Sequence, residues 1–523
     1  MHHKNGNLNR NKIILLILCI IAGFALRFYT LDHKSLWIDE VHTFNDSRPG
    51  LKDHIRYFQE KPADYLHPPL FFLLTHLFYP FETPERDLRI IPLVFGILSI
   101  PMIYFLSRLF SPSIALPCTL SLAFMAYHIS FSQDGRSYSL LMFLGMVALY
   151  FLLKHHESNQ KKDLLFAALA YAISFYTNYT AIPFIFSSQL LWFYQINEQE
   201  EKPRFSSFLL LNAVTLLLCM PWILFVVLNY KSQAGMDVAF SEAFGSIGSI
   251  LSNILNDWVP FVPLTIISVL LFILFPVFSK NRKNAFLLSS VLLFPTISLY
   301  LSCKFVKFEH YFSSRYVINF LPLFLILSYL SIEAIELKFK ILRKYFSLKF
   351  LFLVLFIGSN VMILPLYYQA EKQDFRGLVR YLENELQDGD KIFLKSIAYI
   401  PGILHYFKLY PLRGRHYDIP YQWQTPEKKE FEARIPLISQ NRKFTIYFSN
   451  GCFSKYVEDG SRLWIVAGVP AVKTIKEKYP CILKGYFDGS FCNFRKFPTD
   501  ASMYLFLWDR KTSKEKKIKG SSH

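Results

Sequence analysis

The sequence predicts a polytopic α-helical membrane protein that carries a small α/β domain at its C-terminal end. First, the chain of 523 residues is 52% hydrophobic and only 18% charged, which is too apolar for an ordinary soluble domain. Second, about eleven apolar segments approach or reach the length needed to cross a bilayer. Third, these segments give way beyond residue 369 to short helix and strand patterns. The net charge of +18 does not indicate nucleic-acid binding, because much of the Lys and Arg lies between apolar segments, as the positive-inside rule requires.

The first predicted span covers residues 13–29, and it sets the predicted topology. Basic residues precede it, which predicts a cytoplasmic N-terminus. A signal-peptidase site at residues 23–25 is the alternative, and in either case the chain from residue 32 lies outside the cytoplasm. Asp39 and Glu40 follow at the outer end of this span. Because acidic side chains stabilise the N-terminus of a helix and not its C-terminus, we expect a functional role for this pair.

Residues 32–88 form a predicted outer loop with short interfacial helices. Residues 70–81 are apolar, but about a dozen residues are too few to cross a bilayer. Counting them as a span would turn the later basic clusters outward, against the positive-inside rule. The other predicted spans are 89–110, 113–131, 138–153, 164–175, 181–194, 205–230, 261–278, 285–302, 316–335 and 350–368.

The chain therefore divides into a transmembrane part (1–369), an exoplasmic α/β domain (370–510) and a disordered basic tail (511–523). In the α/β domain, the patterns predict helices over 375–386, 400–410 and 472–478, and strands over 391–394, 444–448, 463–466 and 503–508. Cys452, Cys481 and Cys492 lie there in an oxidising compartment, so one pair could form a disulfide, and three pairings remain open. The absence of a CxxC motif argues against a zinc or thioredoxin-like site.

The predicted topology brings several polar residues to the outer membrane face. Carboxylates can act as general bases, and arginine binds phosphate with bidentate geometry. A basic outer loop around residues 304–315 indicates an anionic ligand, such as a lipid-linked phosphate. The set therefore suits activation of a hydroxyl beside an anionic leaving group. Its members are Asp39, Glu40, His67, Arg89, Gln133, Asp134, Arg136, Tyr138, Arg315 and Tyr316.

Each of these residues also has a simpler interpretation. Asp39 and Glu40 could be a solvated loop pair, and Arg89 and Arg315 could extend from span ends toward water. Asp134 could form a surface ion pair with Arg136. Likewise, His67 before two prolines could mark only the start of a helix.

In sequence order, these residues resemble the bacterial GT-C glycosyltransferases. The most similar group is glycosyltransferase family 39, the superfamily of protein O-mannosyltransferases and lipid A aminoarabinose transferases. The resemblance covers roughly residues 10–410. It depends on Asp39-Glu40, His67-Pro68-Pro69-Leu70, Arg89-Ile90-Ile91-Pro92 with Phe95-Gly96, the segment Ser132-Gln133-Asp134-Gly135-Arg136-Ser137-Tyr138-Ser139-Leu140-Leu141, and Arg315-Tyr316.

The resemblance implies a polyprenyl-phosphate sugar donor, an exoplasmic active site in a bacterial inner membrane, and inversion at the anomeric carbon. Asp39 would be the general base, with Glu40 supporting the site and Asp134 as the acidic residue of the second outer loop. The implied phosphate-binding residues are Arg89, Arg136 and Arg315, with Tyr138 and Tyr316 beside them and either His67 or Lys61 in addition. A divalent cation, Mg²⁺ or Mn²⁺, could bridge Asp39, Asp134 and the phosphate.

The chain departs from this family at three places. It has Asp134-Gly135 where many bacterial relatives have Glu-Ala. It also lacks the histidine that relatives commonly carry near Asn178. The C-terminal domain resembles relatives only at Asp374-Phe375-Arg376 and near residues 389–390.

Three other functions remain open at this point: a transporter or flippase of lipid-linked saccharides, a polymerase or ligase of surface polysaccharide on another membrane fold, and a non-catalytic scaffold. A transporter is expected to place ionisable residues near the middle of the membrane, often in related halves of the chain, and few such residues occur here. A polymerase or ligase would not need an acidic pair directly after the first span. The acceptor of a transferase could be a lipid, a glycan or a protein.

Overall fold

The computed structural model describes residues 10–53, 55, 67–195, 205–229, 247–306, 314–339, 347–396, 398–408, 432–449, 453–457, 462–491 and 500–508. Lys61, Cys452, Cys492 and the tail 511–523 lie outside these residues, so the predictions made for them stay predictions. The helices of the transmembrane part are Arg10–Phe28, Ile38–Ser47, Leu70–His76, Pro84–Asp87, Ile90–Phe110, Ala115–Phe124, Ala126–Ser132, Tyr138–Ser158, Lys161–Thr177, Ala181–Ser188, Gln189–Phe193, Phe205–Asn229, Ile247–Trp258, Val262–Phe278, Arg282–Val306, Ser314–Phe320, Leu321–Lys338 and Leu348–Gln369.

The chain is a polytopic α-helical membrane protein, as predicted. Within the described residues, six helices are long and apolar enough to cross a membrane, and the number rises to eight if each of two bent helix pairs is one span. The sequence predicted about eleven. Two of the additional predicted spans form shorter helices, Lys161–Thr177 and Ala181–Ser188. The helix Leu70–His76 has seven residues, about 10 Å of helix, and so cannot cross a bilayer core.

One predicted span is broken in the middle. Residues 113–131 form two helices that meet at a 61° bend next to Met125. A bend of this size leaves backbone groups without helical partners, and buried groups of this kind need other hydrogen bonds. Arg27, which is fully buried, donates to the carbonyl oxygens of two residues that precede the bend, each at 2.9 Å. Asn360 accepts a hydrogen bond at 2.9 Å from the first backbone N–H after it. Side chains from the first and last spans therefore stabilise the break.

The C-terminal domain is built on one mixed sheet with the strand order β2-β3-β1-β4-β6-β5. The central strand β1 pairs in parallel with β3 and β4, and the outer pairs are antiparallel. Two of these six strands, β2 and β5, were not predicted. The strands are β1 (Lys391–Leu394), β2 (Glu432–Ser439), β3 (Arg442–Ser449), β4 (Leu463–Gly468), β5 (Ile482–Phe487) and β6 (Met503–Trp508), and the helices are Phe375–Glu385, Tyr399–Tyr406, Phe453–Val457 and Val469–Lys478.

This domain packs directly on the outer loop of the transmembrane part. The last long apolar helix ends at Gln369, and residues 370–374 lead into the first helix of the domain. Lys34 is buried and donates to the carbonyl oxygen of Tyr367 and to that of Ala370. Arg376 donates from its backbone to Ser35 Oγ at 3.2 Å. The domain is thus held against the loop that contains the acidic pair.

Candidate active site

Asp39 and Glu40 lie in the first turn of a new helix, Ile38–Ser47, which we call the Asp39 helix. This corrects one expectation from the sequence. We took the pair to follow the C-terminal end of a span, where acidic side chains do not match the helix dipole. In the structure they lie at a helix N-terminus, which favours negative charge. The helix dipole therefore gives no reason to expect a functional role for this pair, and the contacts of the two side chains decide it.

Asp39 forms an ion pair with Arg315 across the fold. Arg315 Nη1 lies 3.0 Å from Asp39 Oδ2, and the two side chains keep 13% and 24% of their surface exposed. Burial raises the pKa of the Asp39 carboxyl, but the positive charges of Arg315 and Arg136 outweigh this, so the net pKa lies below the ordinary value. Asp39 is therefore an ionised and accessible carboxylate beside a guanidinium group.

Aromatic rings and a second arginine surround this ion pair. The guanidinium carbon of Arg315 lies 5.4, 5.9 and 5.2 Å from the ring centroids of Trp37, Tyr138 and Tyr316, respectively. Arg136 donates at 3.1 Å both to the backbone carbonyl of Asp39 and to Thr43 Oγ1. Two cations, an ionised carboxylate and two phenol rings thus come together, as the sequence predicted for Asp39, Arg136, Tyr138, Arg315 and Tyr316.

Glu40 and Arg89 form a buried ion pair with each other. Both are fully buried, and Arg89 binds the Glu40 carboxylate with two bonds of 2.7 and 2.8 Å. The other N–H groups of Arg89 donate to the backbone carbonyls of Leu31, Lys34 and Ser35 at 2.8 to 3.3 Å. Because all five donors of a guanidinium are used here, Arg89 has none left for a phosphate. This geometry argues against phosphate binding by Arg89. The pair anchors the outer loop, which is a supporting role for Glu40.

The second outer loop contacts the same carboxylate through its backbone. Gly135 N–H donates to Glu40 Oε1 at 2.7 Å. A Cβ atom at Gly135 would lie 3.1 Å from Leu88 Cβ and 3.2 Å from Glu40 Oε1, which is closer than ordinary van der Waals contact allows. Gly135 thus accommodates a close approach of the two loops.

Asp134 is buried and pairs with a residue that the sequence did not indicate. Its Oδ1 lies 3.0 Å from Lys372 Nζ and accepts a hydrogen bond from Trp37 Nε1 at 2.9 Å. Burial raises the pKa of the Asp134 carboxyl, and the charge of Lys372 only partly opposes this shift. Asp134 therefore contacts the Asp39 site through Trp37, whose ring also lies beside Arg315.

The arrangement gives little support to a bridging divalent cation. In the part of the chain that the structure describes, no group of three or more His, Cys, Asp or Glu residues could hold a metal ion. Asp39 and Asp134 are each paired with a cationic side chain of the protein. The Mg²⁺ or Mn²⁺ site stays a prediction, and no step proposed below depends on it.

His67 lies at the start of the short interfacial helix, with its ring centroid 5.9 Å from that of Phe72. The phosphate roles predicted for His67 and Lys61 stay predictions. Two residues that sequence reasoning missed lie next to the site: Lys372, and Gln373, which accepts a hydrogen bond from Ile38 N–H. Their only sequence signal was the family-like segment Asp374-Phe375-Arg376 that follows them.

A large apolar cavity has part of its lining on the short helix that carries Arg315. Its volume is about 630 Å³, and apolar side chains of five helices between residues 247 and 338 form nearly all of its lining. Val317 and Phe320 belong to this lining. They lie on the same 3₁₀ helix as Arg315, Ser314–Phe320. This short helix therefore contributes residues both to the ion pair with Asp39 and to the lining of the cavity.

The structure has the fold of the GT-C glycosyltransferases, as the sequence resemblance implied. A protein-family model described as dolichyl-phosphate-mannose-protein mannosyltransferase matches residues 66–225. The structure is similar to that of ArnT from Cupriavidus metallidurans in the apo state, with a TM-score of 0.54 and 12% identity over 95% of this chain and 98% of the other. The structure of ArnT from Cupriavidus metallidurans bound to undecaprenyl phosphate is similar as well, with a TM-score of 0.53 and 11% identity over 95% of this chain and 98% of the other. No curated protein sequence matches the chain.

Proposed function

We propose that this protein is an inverting glycosyltransferase that moves a sugar from a polyprenyl-phosphate donor to a hydroxyl acceptor on the exoplasmic face of the membrane. The observation that carries the proposal is the 3₁₀ helix Ser314–Phe320. Its Arg315 forms an ion pair with the ionised carboxylate of Asp39. Its Val317 and Phe320 line an apolar cavity of about 630 Å³. A ligand with a phosphate joined to a long apolar chain matches both features.

The donor would bind with its prenyl chain in the cavity and its phosphate at Arg315 and Arg136. Ligand pockets of this size and apolar lining commonly enclose most of a ligand's surface. Arginine suits phosphate because its planar group donates two parallel hydrogen bonds. The undecaprenyl phosphate bound by ArnT, which shares this fold, supports a donor of this chemical class.

In the proposed reaction, Asp39 removes the proton of the acceptor hydroxyl as the oxygen attacks the anomeric carbon. A new C–O bond forms on one face of the sugar while the bond to the phosphate oxygen breaks on the other, and the bonding electrons leave with the phosphate. Arg315 and Arg136 stabilise the charge that develops on the departing phosphate. In-line displacement inverts the configuration of the anomeric carbon.

The site would face the exterior of a bacterial inner membrane. The positive-inside rule supports this orientation, since it places nearly every basic cluster between spans in the cytoplasm and the acidic pair, the loop with Asp134 and the C-terminal domain outside. An exoplasmic site also fits a lipid-linked donor, because the prenyl chain keeps the activated sugar at the membrane surface.

The test is a panel of radiolabelled polyprenyl-phosphate sugars given to the purified protein in lipid nanodiscs, with membrane extract as the acceptor source. We expect one donor to be consumed, a long-chain donor to be used at lower concentration than a short-chain one, and the product to have the inverted anomeric configuration. Retention of configuration would contradict the mechanism. Donor binding without any consumption would favour a transporter or a scaffold instead.

The Asp39–Arg315 pair also predicts how activity depends on pH. In the free protein, the neighbouring arginines hold the pKa of Asp39 below the ordinary value of about 3.9. When a donor phosphate engages Arg315, Asp39 loses part of this stabilisation and its pKa rises. The carboxylate is the active form, so activity falls as pH falls through this pKa. Because kcat/KM reports the free enzyme and kcat the complex, we expect the acid limb of kcat to lie at higher pH than that of kcat/KM. Coincident acid limbs would argue against the phosphate engaging Arg315.

A further inference from the structure

The C-terminal segment 371–373 supplies hydrogen-bond acceptors to the N-terminus of the Asp39 helix. The first N–H groups of a helix have no partner within it. Here Gln373 Oε1 accepts from Ile38 N–H at 3.0 Å, and Glu371 Oε2 accepts from Ser35 N–H at 3.0 Å. Gln373 is buried, with 5% of its surface exposed. Ile38 directly precedes Asp39, so this cap lies one residue from the proposed base.

Two further contacts from the same part of the chain hold this turn. Tyr406, at the end of the helix Tyr399–Tyr406, accepts from Leu36 N–H at 2.7 Å through its hydroxyl oxygen. Lys372 pairs with Asp134, which in turn accepts from the indole N–H of Trp37. The C-terminal part thus holds Leu36 directly. It holds Trp37 through Asp134 of the second outer loop.

The segment that makes these contacts is itself fixed to the C-terminal sheet. Glu371 N–H donates to Asp488 Oδ2 at 2.7 Å, and Asp374 N–H donates to the backbone carbonyl of Asp488 at 2.9 Å. Asp488 directly follows strand β5. The short segment 371–374 is therefore hydrogen-bonded to the C-terminal sheet at one end and, through Gln373, to the first turn of the Asp39 helix.

We propose that Gln373 is a positioning residue, through which the C-terminal domain caps the Asp39 helix and sets the orientation of Asp39 toward Arg315. The inference rests on the proposed function, because it gives Asp39 the role of base. Losing the acceptor leaves the Ile38 N–H without its partner in a partly buried site, and the first turn of the helix loosens. A displacement of about 1 Å at a reacting group can cost on the order of 100-fold in rate. Arg136 and Arg315 belong to other elements, the second outer loop and the 3₁₀ helix Ser314–Phe320, so we expect donor binding to change less than kcat.

The experiment compares wild type with Gln373→Ala, Gln373→Glu and Gln387→Ala in the full-length protein. Gln373→Glu keeps the acceptor oxygen, and a negative charge suits a helix N-terminus. Gln387→Ala makes the same chemical change at an exposed side chain of the same domain. For Gln373→Ala we expect kcat to fall roughly 10- to 100-fold, with the KM for the donor within about threefold of wild type. For Gln373→Glu we expect kcat within about threefold of wild type, and for Gln387→Ala no change.

The midpoint of thermal unfolding of each variant, measured in parallel, separates positioning from general stability. A folded Gln373→Ala with wild-type kcat would overturn the inference while leaving the proposed function intact. Equal losses of kcat in Gln373→Ala and Gln373→Glu, together with a lowered midpoint in both, would also overturn it, because the segment would then serve only to dock the domain. A wild type that uses no donor at all would overturn the proposed function itself, and the role of Gln373 with it.

Discussion

Replacing Asp39 with asparagine is expected to lower the kcat of sugar transfer by about 10²- to 10⁴-fold, the usual contribution of a general base. Asparagine has nearly the same shape, and its amide oxygen can still accept the hydrogen bond that Arg315 donates at 3.0 Å. It cannot take up the proton of the acceptor hydroxyl. The charged neighbour and the cavity remain, so the affinity for polyprenyl phosphate is expected to stay within a few-fold of wild type.

The measurement pairs single-turnover transfer with direct binding of polyprenyl phosphate for wild type, Asp39→Asn and Asp32→Asn. Asp32 is an exposed aspartate of the same outer loop, so its variant makes the same chemical change away from the ion pair. We expect Asp32→Asn to match wild type in both assays. If Asp39→Asn transfers sugar at a third of the wild-type rate or more, Asp39 is not the base.

The transmembrane architecture was predictable because apolar segments, their lengths and the basic clusters between them are local properties of the sequence. The segment that contains the seven-residue helix Leu70–His76 was placed outside the membrane on its length and on the positive-inside rule. The break in the span 113–131 was not predictable. It depends on Arg27 and Asn360, which lie in the first and last spans and supply hydrogen bonds to backbone groups near Met125. Hydropathy does not report such contacts.

The two strands that the sequence did not predict, β2 and β5, are both at the edges of the sheet. Edge strands tolerate residues that weaken the strand pattern, since one side of their backbone is unpaired. Strand β2 contains Pro436, and β5 contains Gly485 beside a register shift with β6. The central strands have continuous apolar patterns and were predicted close to their observed bounds.

The site was predictable in part of its membership but not in its pairings. Sequence reasoning placed Asp39, Arg136 and Arg315 on one membrane face, and the structure brings them together. It could not decide which arginine neutralises which carboxylate, so it assigned Arg89 to the phosphate. Nor could it find the Gln373 contact to Ile38, which joins positions 335 residues apart. Residue type indicates the available chemistry, but pairing depends on tertiary packing.

The buried pair of Glu40 and Arg89 gives the largest expected effect on stability. Replacing Glu40 with glutamine keeps the shape of the side chain but leaves the guanidinium of Arg89 without its countercharge, in a place where both side chains are at most 1% exposed. Removing one partner of a buried ion pair typically costs about 3–5 kcal/mol, mostly from the charge left behind. We expect Glu40→Gln to lower the free energy of unfolding by this amount and to reduce the yield of folded protein.

The control for this prediction is Glu477→Gln, which makes the same change in an exposed ion pair with Lys473 at 4.0 Å. Exposed ion pairs contribute little to stability, so we expect Glu477→Gln to have the same free energy of unfolding as wild type. Combining Glu40→Gln with Arg89→Gln removes the uncompensated charge and should recover part of the lost stability. If Arg89 bound the donor phosphate, as first predicted, Arg89→Gln alone would weaken donor binding in folded protein. If it anchors the outer loop, the folded fraction falls instead, and the molecules that do fold bind polyprenyl phosphate as wild type does.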